Sequence, residues 1–230
     1  MKALIFDVDG TLAETEDLHR QAFNAAFAEA GLDWHWDDAL NRELLAVSGG
    51  IERMGFFQES LPEAARLGAT ALGRVYEGKR GHYARMLAGG ALGLRPGVAD
   101  LIRAARDAGI GRAVVTAASA ESFNALAQGC LPGPVSGLFD LVITGSDVSA
   151  KKPDPEGYRL ALAGLGIAAE EALVFEDSPV GYAAAVAAGI PVVVTPSAHS
   201  PQGMAYPAAV AVLPSLERDH WPSFGFPPAD

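Results

Sequence analysis

The sequence predicts an α/β fold in which a doubly wound parallel sheet carries an inserted α-helical cap. Short runs of β-branched and aliphatic residues alternate along the chain with amphipathic segments of helical period. Because these runs lack a polar face, they are typical of parallel strands that helices cover on both sides. The first two runs are much further apart than one crossover helix requires, which indicates an insertion there. The predicted strands are Ala3–Phe6, Ala113–Val115, Leu141–Ile143, Leu173–Phe175 and Val192–Val194.

Several predicted helices of the core end at a glycine. A glycine just past the last helical residue readily takes the left-handed conformation that closes a helix. The helices predicted to end in this way are Leu101–Ala108 before Gly109, Tyr158–Ala163 before Gly164 and Val180–Ala188 before Gly189. We expect these helices to cover the sheet.

The long interval after the first strand has a helical pattern and contains no good strand. Its helical stretches include Leu18–Ala30, Asp37–Ala46 and Leu61–Met86. The core pattern resumes at Leu94-Arg95-Pro96-Gly97, a turn that leads into a helix. We therefore predict an α/β core of residues 1–14 and 91–230 and a helical cap domain of residues 15–90.

Composition is that of a globular protein with a sizeable core. Half of the 230 residues are hydrophobic and 20% are charged. No apolar run approaches the ~18 residues that span a bilayer, and the chain enters its first strand at once rather than through a secretory signal. The single cysteine, Cys130, excludes an internal disulfide and a zinc site built on a cysteine cluster. These features predict a protein of the cytoplasm or of an equivalent reducing compartment.

The formal net charge of −11 bears on the choice of partner. A surface of this charge repels nucleic acid and anionic membranes, so neither is expected as a partner. It also repels phosphorylated metabolites, so a site for one requires local cations. We predict a monomer that acts on a small molecule.

Two aspartates directly after the first strand carry the strongest chemical signal. Alternate residues of a strand share a face, so Asp7 and Asp9 are predicted to point from the strand end into one small volume. Two carboxylates held this close favour either a cation between them or a proton on one of them. The pattern therefore predicts a Mg²⁺ site, an acid/base pair, or both. An aspartate-rich turn is the alternative, which the apolar strand before the pair and Gly10-Thr11 after it disfavour.

Polar residues at other strand ends provide a second signal. Thr116 follows the second predicted strand, the acidic pair Glu176 and Asp177 follows the fourth, and Lys152 precedes a proline at a helix start. Ligands of open α/β sheets bind at the carboxyl ends of the strands, where these residues would meet. Each residue alone also has a structural explanation: Thr116 as a helix cap, Lys152 as a solvated lysine, and the acidic pair as a helix-start signal.

The stretch Phe6-Asp7-Val8-Asp9-Gly10-Thr11 resembles the nucleophile loop of the haloacid dehalogenase superfamily, most of whose members are phosphatases. The resemblance implies a Rossmann-like core, commonly with a helical cap at the insertion point predicted above. It implies that Asp7 attacks phosphorus to form an aspartyl-phosphate. Asp9 would protonate the leaving oxygen and then deprotonate the hydrolytic water.

The same resemblance implies the remaining groups of a phosphoryl-transfer site. Mg²⁺ would be bound by Asp7, the main-chain carbonyl of Asp9, Glu176 and Asp177, with Asp177 the surer of the last two. Donors to the phosphate and the cation that neutralises it are implied at Thr116, the amide of Ala117, and Lys152.

Substrate contacts are expected in the cap. Glu16 and His19 follow the hinge-like link from the core and are candidates for binding sugar hydroxyls, although a solvated helix start explains them equally. Over most of its length the chain resembles the CbbY-like subfamily, and the motifs that carry this resemblance are Leu12-Ala13-Glu14-Thr15-Glu16, Ser48-Gly49-Gly50 with Glu52-Arg53, Leu94-Arg95-Pro96-Gly97-Val98, Lys151-Lys152-Pro153 and Glu176-Asp177-Ser178. This subfamily includes a Mg²⁺-dependent phosphatase of xylulose 1,5-bisphosphate. That resemblance implies Gly50, Arg53 and Lys79 as ligands of the distal end of the sugar.

One departure from that pattern leaves the substrate open. Ile51 stands where close relatives carry a lysine and β-phosphoglucomutase an arginine, so a substrate with two phosphates loses a cation there. We therefore predict a Mg²⁺-dependent sugar phosphatase with xylulose 1,5-bisphosphate as one candidate substrate and a monophosphate as another. A phosphomutase is the nearest alternative, because His19 and Lys79 match positions that such mutases use. A non-catalytic binding protein is a further alternative, which the presence of all the catalytic residue types disfavours.

Overall fold

The computed structural model describes residues 1–90 and 92–226. Six parallel strands form one sheet in the order β3-β2-β1-β4-β5-β6, which confirms the predicted doubly wound α/β core. Sequence analysis missed β6 because two residues make no recognisable run. The strands are β1 (Ala3–Phe6), β2 (Gly111–Val115), β3 (Leu141–Ile143), β4 (Ala172–Glu176), β5 (Val192–Val194) and β6 (Ala211–Val212).

Helices account for most of the remaining described chain. The α-helices are α1 (Glu16–Glu29), α2 (Asp38–Leu44), α3 (Gly50–Glu59), α4 (Ala69–Ala88), α5 (Val98–Asp107), α6 (Ala120–Cys130), α7 (Val135–Leu138), α8 (Glu156–Leu165) and α9 (Pro179–Ala187). Short 3₁₀ helices lie at Glu63–Ala65, Ala169–Glu171 and Arg218–Phe224. None of the helices within the described ranges combines the length and apolarity that a membrane crossing requires.

Two helix boundaries differ from the prediction. The helix predicted to stop before Gly164 continues to Leu165, and Gly166, with φ of +66°, provides the left-handed end. Gly164 is inside α8 because it packs on Leu141 of β3, where a Cβ would lie 2.7 Å from a leucine methyl group. The single helix predicted over Leu61–Met86 is instead a 3₁₀ turn followed by α4.

Helices α1 to α4 share a hydrophobic cluster that is separate from the two clusters on the faces of the sheet. Aromatic rings dominate it, with Trp36 between Phe23 and Phe27 at centroid separations of 4.4 and 5.2 Å. Aromatic pairs at these separations stabilise the fold beyond the contribution of their buried area. Near its end, however, α4 turns from this cluster and packs Tyr83 and Leu87 against the core. The cap boundaries at residues 15 and 90 stay a prediction. The separate hydrophobic cluster of α1 to α4 supports them.

Sheet topology brings the candidate functional residues to one edge. β1 is central, and its last residue, Phe6, pairs with Val114 of β2 on one side and Phe175 of β4 on the other. Asp7, Thr116 and Asp177 therefore follow three adjacent strands at their carboxyl ends. Helices α1 to α4 follow β1 in the chain, and each contributes residues to the cavity that these strand-end residues line.

Candidate active site

The loop after β1 is a tight turn that packs on the carboxylate of Asp177. Gly10 has a φ of +83°, and its amide donates to the Ala13 carbonyl at 2.8 Å. A Cβ at residue 10 would collide with the carboxylate of Asp177. Glycine therefore satisfies both the left-handed turn and the close approach of the two loops.

Lys152 joins the ends of β1, β2 and β4. Its Nζ donates to Asp7 Oδ1 and Glu176 Oε1, both at 2.6 Å, and to the Val115 carbonyl at 2.9 Å. Burial alone would lower the pKa of this amine, but the charges of Asp7 and Glu176 outweigh burial and raise the pKa above its usual value. Lys152 is thus a buried, charged lysine and not the solvated residue of the structural explanation.

Three buried carboxylates form an acidic cluster. One oxygen from each of Asp7, Glu176 and Asp177 lies within 4.8 Å of the others. Burial, with repulsion from Glu176 and Asp9 added and Lys152 opposing, raises the pKa of Asp7 to about 8. Burial and repulsion from Asp7 and Glu176 also raise the pKa of Asp177 well above its ordinary range. Hard oxygen ligands that repel one another in a buried site fit a divalent cation.

Glu176 differs from its two partners in how its oxygens are used. Its side chain is 0% exposed, and besides Lys152 it accepts a bond from Tyr158 Oη at 2.7 Å. The Asp177 amide and Ser178 Oγ lie 3.2 and 3.3 Å from its second oxygen. Protein donors therefore occupy both oxygens, whereas Asp7 and Asp177 face the cavity described below.

Asp9 is held by a chain of hydrogen bonds that reaches into α4. Thr15 Oγ1 and His19 Nε2 donate to Asp9 Oδ1, the second at 3.0 Å. Lys79 Nζ lies 2.7 Å from His19 Nδ1, so an ammonium there donates to the ring. Burial favours a higher pKa for Asp9, but His19 and the bond from Thr15 outweigh it and hold the pKa below the usual range.

Thr116 is buried directly after β2, where its Oγ1 accepts from the Ala118 amide at 3.0 Å. It does not cap α6, because Ser119 accepts the capping bond from Ser122. At the end of β4, Ser178 likewise caps α9 by accepting from the Gly181 amide at 3.1 Å. Capping of a following helix therefore does not explain Thr116 or the acidic pair, because Ser119 and Ser178 make the capping bonds.

One cavity of about 330 Å³ separates the strand ends from α1 to α4. It collects almost every residue that the sequence singled out, and Glu176 alone is shielded from it. The predicted residues that line it are Asp7, Asp9, Glu16, His19, Gly50, Arg53, Lys79, Thr116, Ala117, Lys152 and Asp177. Glu16 and Arg53 form an ion pair at 3.5 Å on the cavity wall, so Glu16 is not merely part of a solvated helix start.

Sequence analysis missed several residues of the cavity wall, among them Arg42, Tyr76 and His199. No motif flags them, because each comes from a different helix or loop. Arg42 is exposed and makes no ion pair or side-chain hydrogen bond with the described residues. Ile51, by contrast, packs against the aromatic cluster of α1 to α4 and does not line the cavity.

Comparison with known proteins places the chain in a family. The family model for haloacid dehalogenase-like hydrolases matches residues 1–189. Protein CbbY from a plasmid of Cupriavidus necator is 46% identical over 219 residues, which are 94% of this chain and 86% of that protein. Phosphoglycolate phosphatase of Rhodospirillum rubrum is 33% identical over 212 residues, 92% of this chain and 86% of that protein.

A solved structure supports the same placement. It is the crystal structure of a CbbY mutant from Rhodobacter sphaeroides in complex with xylulose-(1,5)bisphosphate, with 39% identity and a TM-score of 0.89. The match covers 94% of this chain and 95% of that one. The chain therefore belongs to the haloacid dehalogenase-like hydrolases, and within that family it is a phosphatase of the CbbY-like group.

Proposed function

We propose that the protein hydrolyses a small sugar phosphate through an aspartyl-phosphate on Asp7, with xylulose 1,5-bisphosphate as the first substrate to test. The observation that carries the proposal is that Asp7 and Asp9 open into one cavity with different partners. Lys152 contacts Asp7, whereas Thr15 and His19 contact Asp9. The complex of the Rhodobacter protein with the bisphosphate supports the choice of substrate.

Chemistry divides between the two aspartates. Lys152 occupies Oδ1 of Asp7, so Oδ2 is the oxygen available to attack phosphorus. As the ester bond breaks, Asp9 gives its proton to the leaving oxygen. Asp9 then takes a proton from the water that attacks the aspartyl-phosphate, which releases phosphate and restores Asp7. The low pKa keeps Asp9 ionised, which the second step requires, and the charge of a bound phosphate would raise that pKa for the first step.

The acidic cluster fits Mg²⁺. Asp7, Asp177 and the main-chain carbonyl of Asp9 would bind it, with Glu176 as a further candidate ligand. When bound, the cation supplies the positive charge that screens the Asp7 carboxylate from an anionic phosphate. Lys152 neutralises further charge, and the Thr116 hydroxyl and Ala117 amide donate to the phosphate oxygens.

We propose residues 15–90 as the cap domain that encloses the substrate. A cavity of about 330 Å³ is at the lower end of the range for small-molecule sites, which favours a metabolite over a protein substrate. Ion pairs join the two sides, with Lys151 contacting Glu52 of α3 and Arg80 of α4 contacting Glu121 of α6. Closure over the site would exclude water during the first step.

Arg42 is our candidate for the second phosphate of a bisphosphate. Of the cations on the cavity wall, Lys152 is engaged by Asp7 and Glu176, Arg53 by Glu16, and Lys79 by His19. In the described chain Arg42 has no such partner, so its guanidinium is available for a bidentate contact with phosphate. We expect Arg42→Gln to raise KM for xylulose 1,5-bisphosphate about tenfold or more and to change KM for monophosphates little. Equal KM changes for both substrate classes would contradict the assignment.

Phosphate release from a substrate panel tests the proposed function. The panel holds xylulose 1,5-bisphosphate, sugar monophosphates and β-glucose 1-phosphate, each with Mg²⁺ and with chelator. We expect fast release from the bisphosphate, loss of activity in Asp7→Asn, and full activity in Asp33→Asn, whose side chain is exposed outside the cavity.

The same panel decides the alternative of a phosphomutase, which the contact of His19 with Lys79 favours. A mutase would convert β-glucose 1-phosphate to glucose 6-phosphate in the presence of a bisphosphate primer and release little phosphate. That product, without phosphate release from any ester, would overturn the proposed function.

A further inference from the structure

Arg95 makes an unusual set of contacts for a residue that does not line the cavity. Its side chain is 9% exposed, and Nε pairs with Glu14 Oε1 at 3.0 Å. Nη1 donates to the carbonyls of Gly10 and of Thr195, the second at 2.8 Å, and Nη2 donates to the Pro196 carbonyl at 3.0 Å. A single guanidinium therefore contacts two separate segments, the loop after β1 at Gly10 and Glu14 and the loop after β5 at Thr195 and Pro196.

These segments are the ones that bear or connect functional groups. Gly10 follows Asp9 in the nucleophile loop, and Glu14 lies in the first link between β1 and α1. Arg95 itself lies in the return link before α5, where its amide also donates to the Leu12 carbonyl at 2.8 Å. The guanidinium thus ties the outgoing link, the return link and the loop of Asp9 to one another.

The segment after β5 contacts the loop that holds Glu176 and Asp177. The Thr195 amide donates to the Glu176 carbonyl at 2.7 Å. Beyond Pro196, the turn from Ser197 to Ser200 lines the cavity, and Ser200 Oγ donates to the Asp177 carbonyl at 2.8 Å. Arg95 therefore connects the loop of Asp9 with the loop that holds Asp177.

No other side chain could make these contacts together. Arginine offers five N–H donors in a rigid plane, whereas lysine offers a compact ammonium that cannot reach carbonyls on two sides. Removal of the guanidinium would leave carbonyls without this donor in the loops after β1 and β5, and these loops would shift to find new donors. Gly10 directly follows Asp9, so a shift of the loop at the Gly10 carbonyl would also move Asp9.

We propose that Arg95 is a positioning residue that fixes Asp9 for proton transfer to the leaving group and couples this position to both links of the cap. The proposal rests on the role of Asp9 in the proposed function. If this is correct, variants of Arg95 lose the protonation of the leaving oxygen specifically and do not simply lose folded enzyme.

The test compares two aryl phosphates of similar shape, phenyl phosphate and 4-nitrophenyl phosphate. Nitrophenolate leaves readily without a proton, whereas phenolate depends on the general acid. The constant kcat/KM reports the step in which the ester bond breaks, so its ratio between the two substrates measures the proton transfer. The variants are Arg95→Lys, Arg95→Gln and Asp9→Asn, with thermal unfolding of each.

Arg112→Lys is the matched control. Arg112 is 11% exposed and binds Asp140 at 2.8 Å at the start of β2, the opposite end of the sheet from the site. We expect Arg112→Lys and Arg95→Lys to lower Tm similarly. Of these two variants, only Arg95→Lys should lower kcat/KM for phenyl phosphate about tenfold more than for 4-nitrophenyl phosphate. The reason is that small misplacements of a reacting group are costly. Asp9→Asn should show the same selectivity, and Arg95→Lys should add little to it.

An unchanged ratio in Arg95→Lys, with lowered Tm, would overturn the proposal and leave Arg95 a structural residue. If the Arg95 variants do not fold, Glu14→Gln decides, because it loosens the guanidinium and keeps its carbonyl contacts. A shift of the ratio in the same direction supports the proposal, and no shift overturns it. Failure of the proposed function itself is distinguishable, because Asp7→Asn would then keep activity on both esters.

Discussion

Lys79 carries a buried amine whose pKa is changed by its surroundings. It is 3% exposed, between the rings of Phe23 and Tyr83 at 4.8 and 4.9 Å. Burial lowers its pKa from 10.5 to about 7, with the charges of Asp9 and Glu16 opposing and those of Arg53 and Arg80 adding. Near neutral pH this residue can therefore exchange a proton with small changes in its surroundings.

A stability measurement tests this pKa. Between about pH 7 and 10.5 the unfolded chain binds more protons at residue 79 than the folded chain, so the free energy of unfolding rises with pH in this window. Lys79→Met removes this contribution of residue 79 to the pH dependence of the free energy of unfolding. We expect the difference in Tm between Lys79→Met and the parent to fall by several degrees as pH rises from 7 to 10.

Lys2→Met, at a side chain that is 63% exposed, is the control and should show no such trend. A constant Tm difference for Lys79→Met across the window would contradict the lowered pKa.

The residues that we propose to act on phosphate could largely be identified from the sequence, because Asp7, Thr116 and Asp177 follow strands and Lys152 precedes a proline near a helix start. The contacts between these residues could not be predicted from the sequence. His19 and Lys79 are 60 positions apart, and Lys152 is 145 positions from Asp7, and no local pattern determines which distant side chain occupies a buried site. Arg42 had no signal of any kind, since an exposed arginine on a helix is ordinary.

At the scale of elements, α9 depends on a close approach to β4. Gly181 lies in the first turn of α9, where a Cβ would overlap the carboxylate of Glu176. We expect Gly181→Ala to displace Glu176 and through it Lys152, to lower Tm by several degrees, and to lower kcat at least tenfold. Thermal unfolding and phosphate release measure the two effects.

The same substitution elsewhere should act in the opposite direction. Gly73 is within α4, and a Cβ there would meet nothing within 4 Å. Alanine in an open helical position stabilises a protein by roughly 0.5–1 kcal/mol relative to glycine. Gly73→Ala should therefore raise Tm with unchanged activity, and equal effects of the two substitutions would refute the steric argument at Gly181.

Helix positions were predictable where amphipathic period and capping agree. α1 and α2 begin and end within a few residues of the predicted limits. Prediction failed at α8, where packing of Gly164 on β3 outweighs the tendency of glycine to end a helix, and at α3, which sequence analysis did not single out. At α8 a tertiary contact, that of Gly164 with Leu141, decided the case.

At the scale of the whole molecule, the buried acidic cluster adds repulsion to a chain that already has a net charge of −11. A divalent cation would relieve this repulsion in the folded state alone. We expect Mg²⁺ to raise Tm relative to chelator, by the equivalent of about 2.7 kcal/mol at a concentration of one hundred times Kd.

Asp177→Asn should abolish this shift, and Asp33→Asn should keep it. Unfolding followed by circular dichroism, with Mg²⁺ and with chelator, measures the effect without reference to activity. Equal Tm values in the two conditions for the parent protein would contradict a Mg²⁺ site in the cluster.

The strands β1 to β5, the helical insertion and the polar residues at the strand ends were predictable from the sequence. Strands that are apolar on both faces can only be buried between helices, and parallel strands bring their carboxyl ends to one edge. Tertiary structure alone decided how these residues are paired, which cations face the cavity, and that Arg95 joins both links to the nucleophile loop. Such contacts depend on distances between remote segments, which arise only when the whole chain packs.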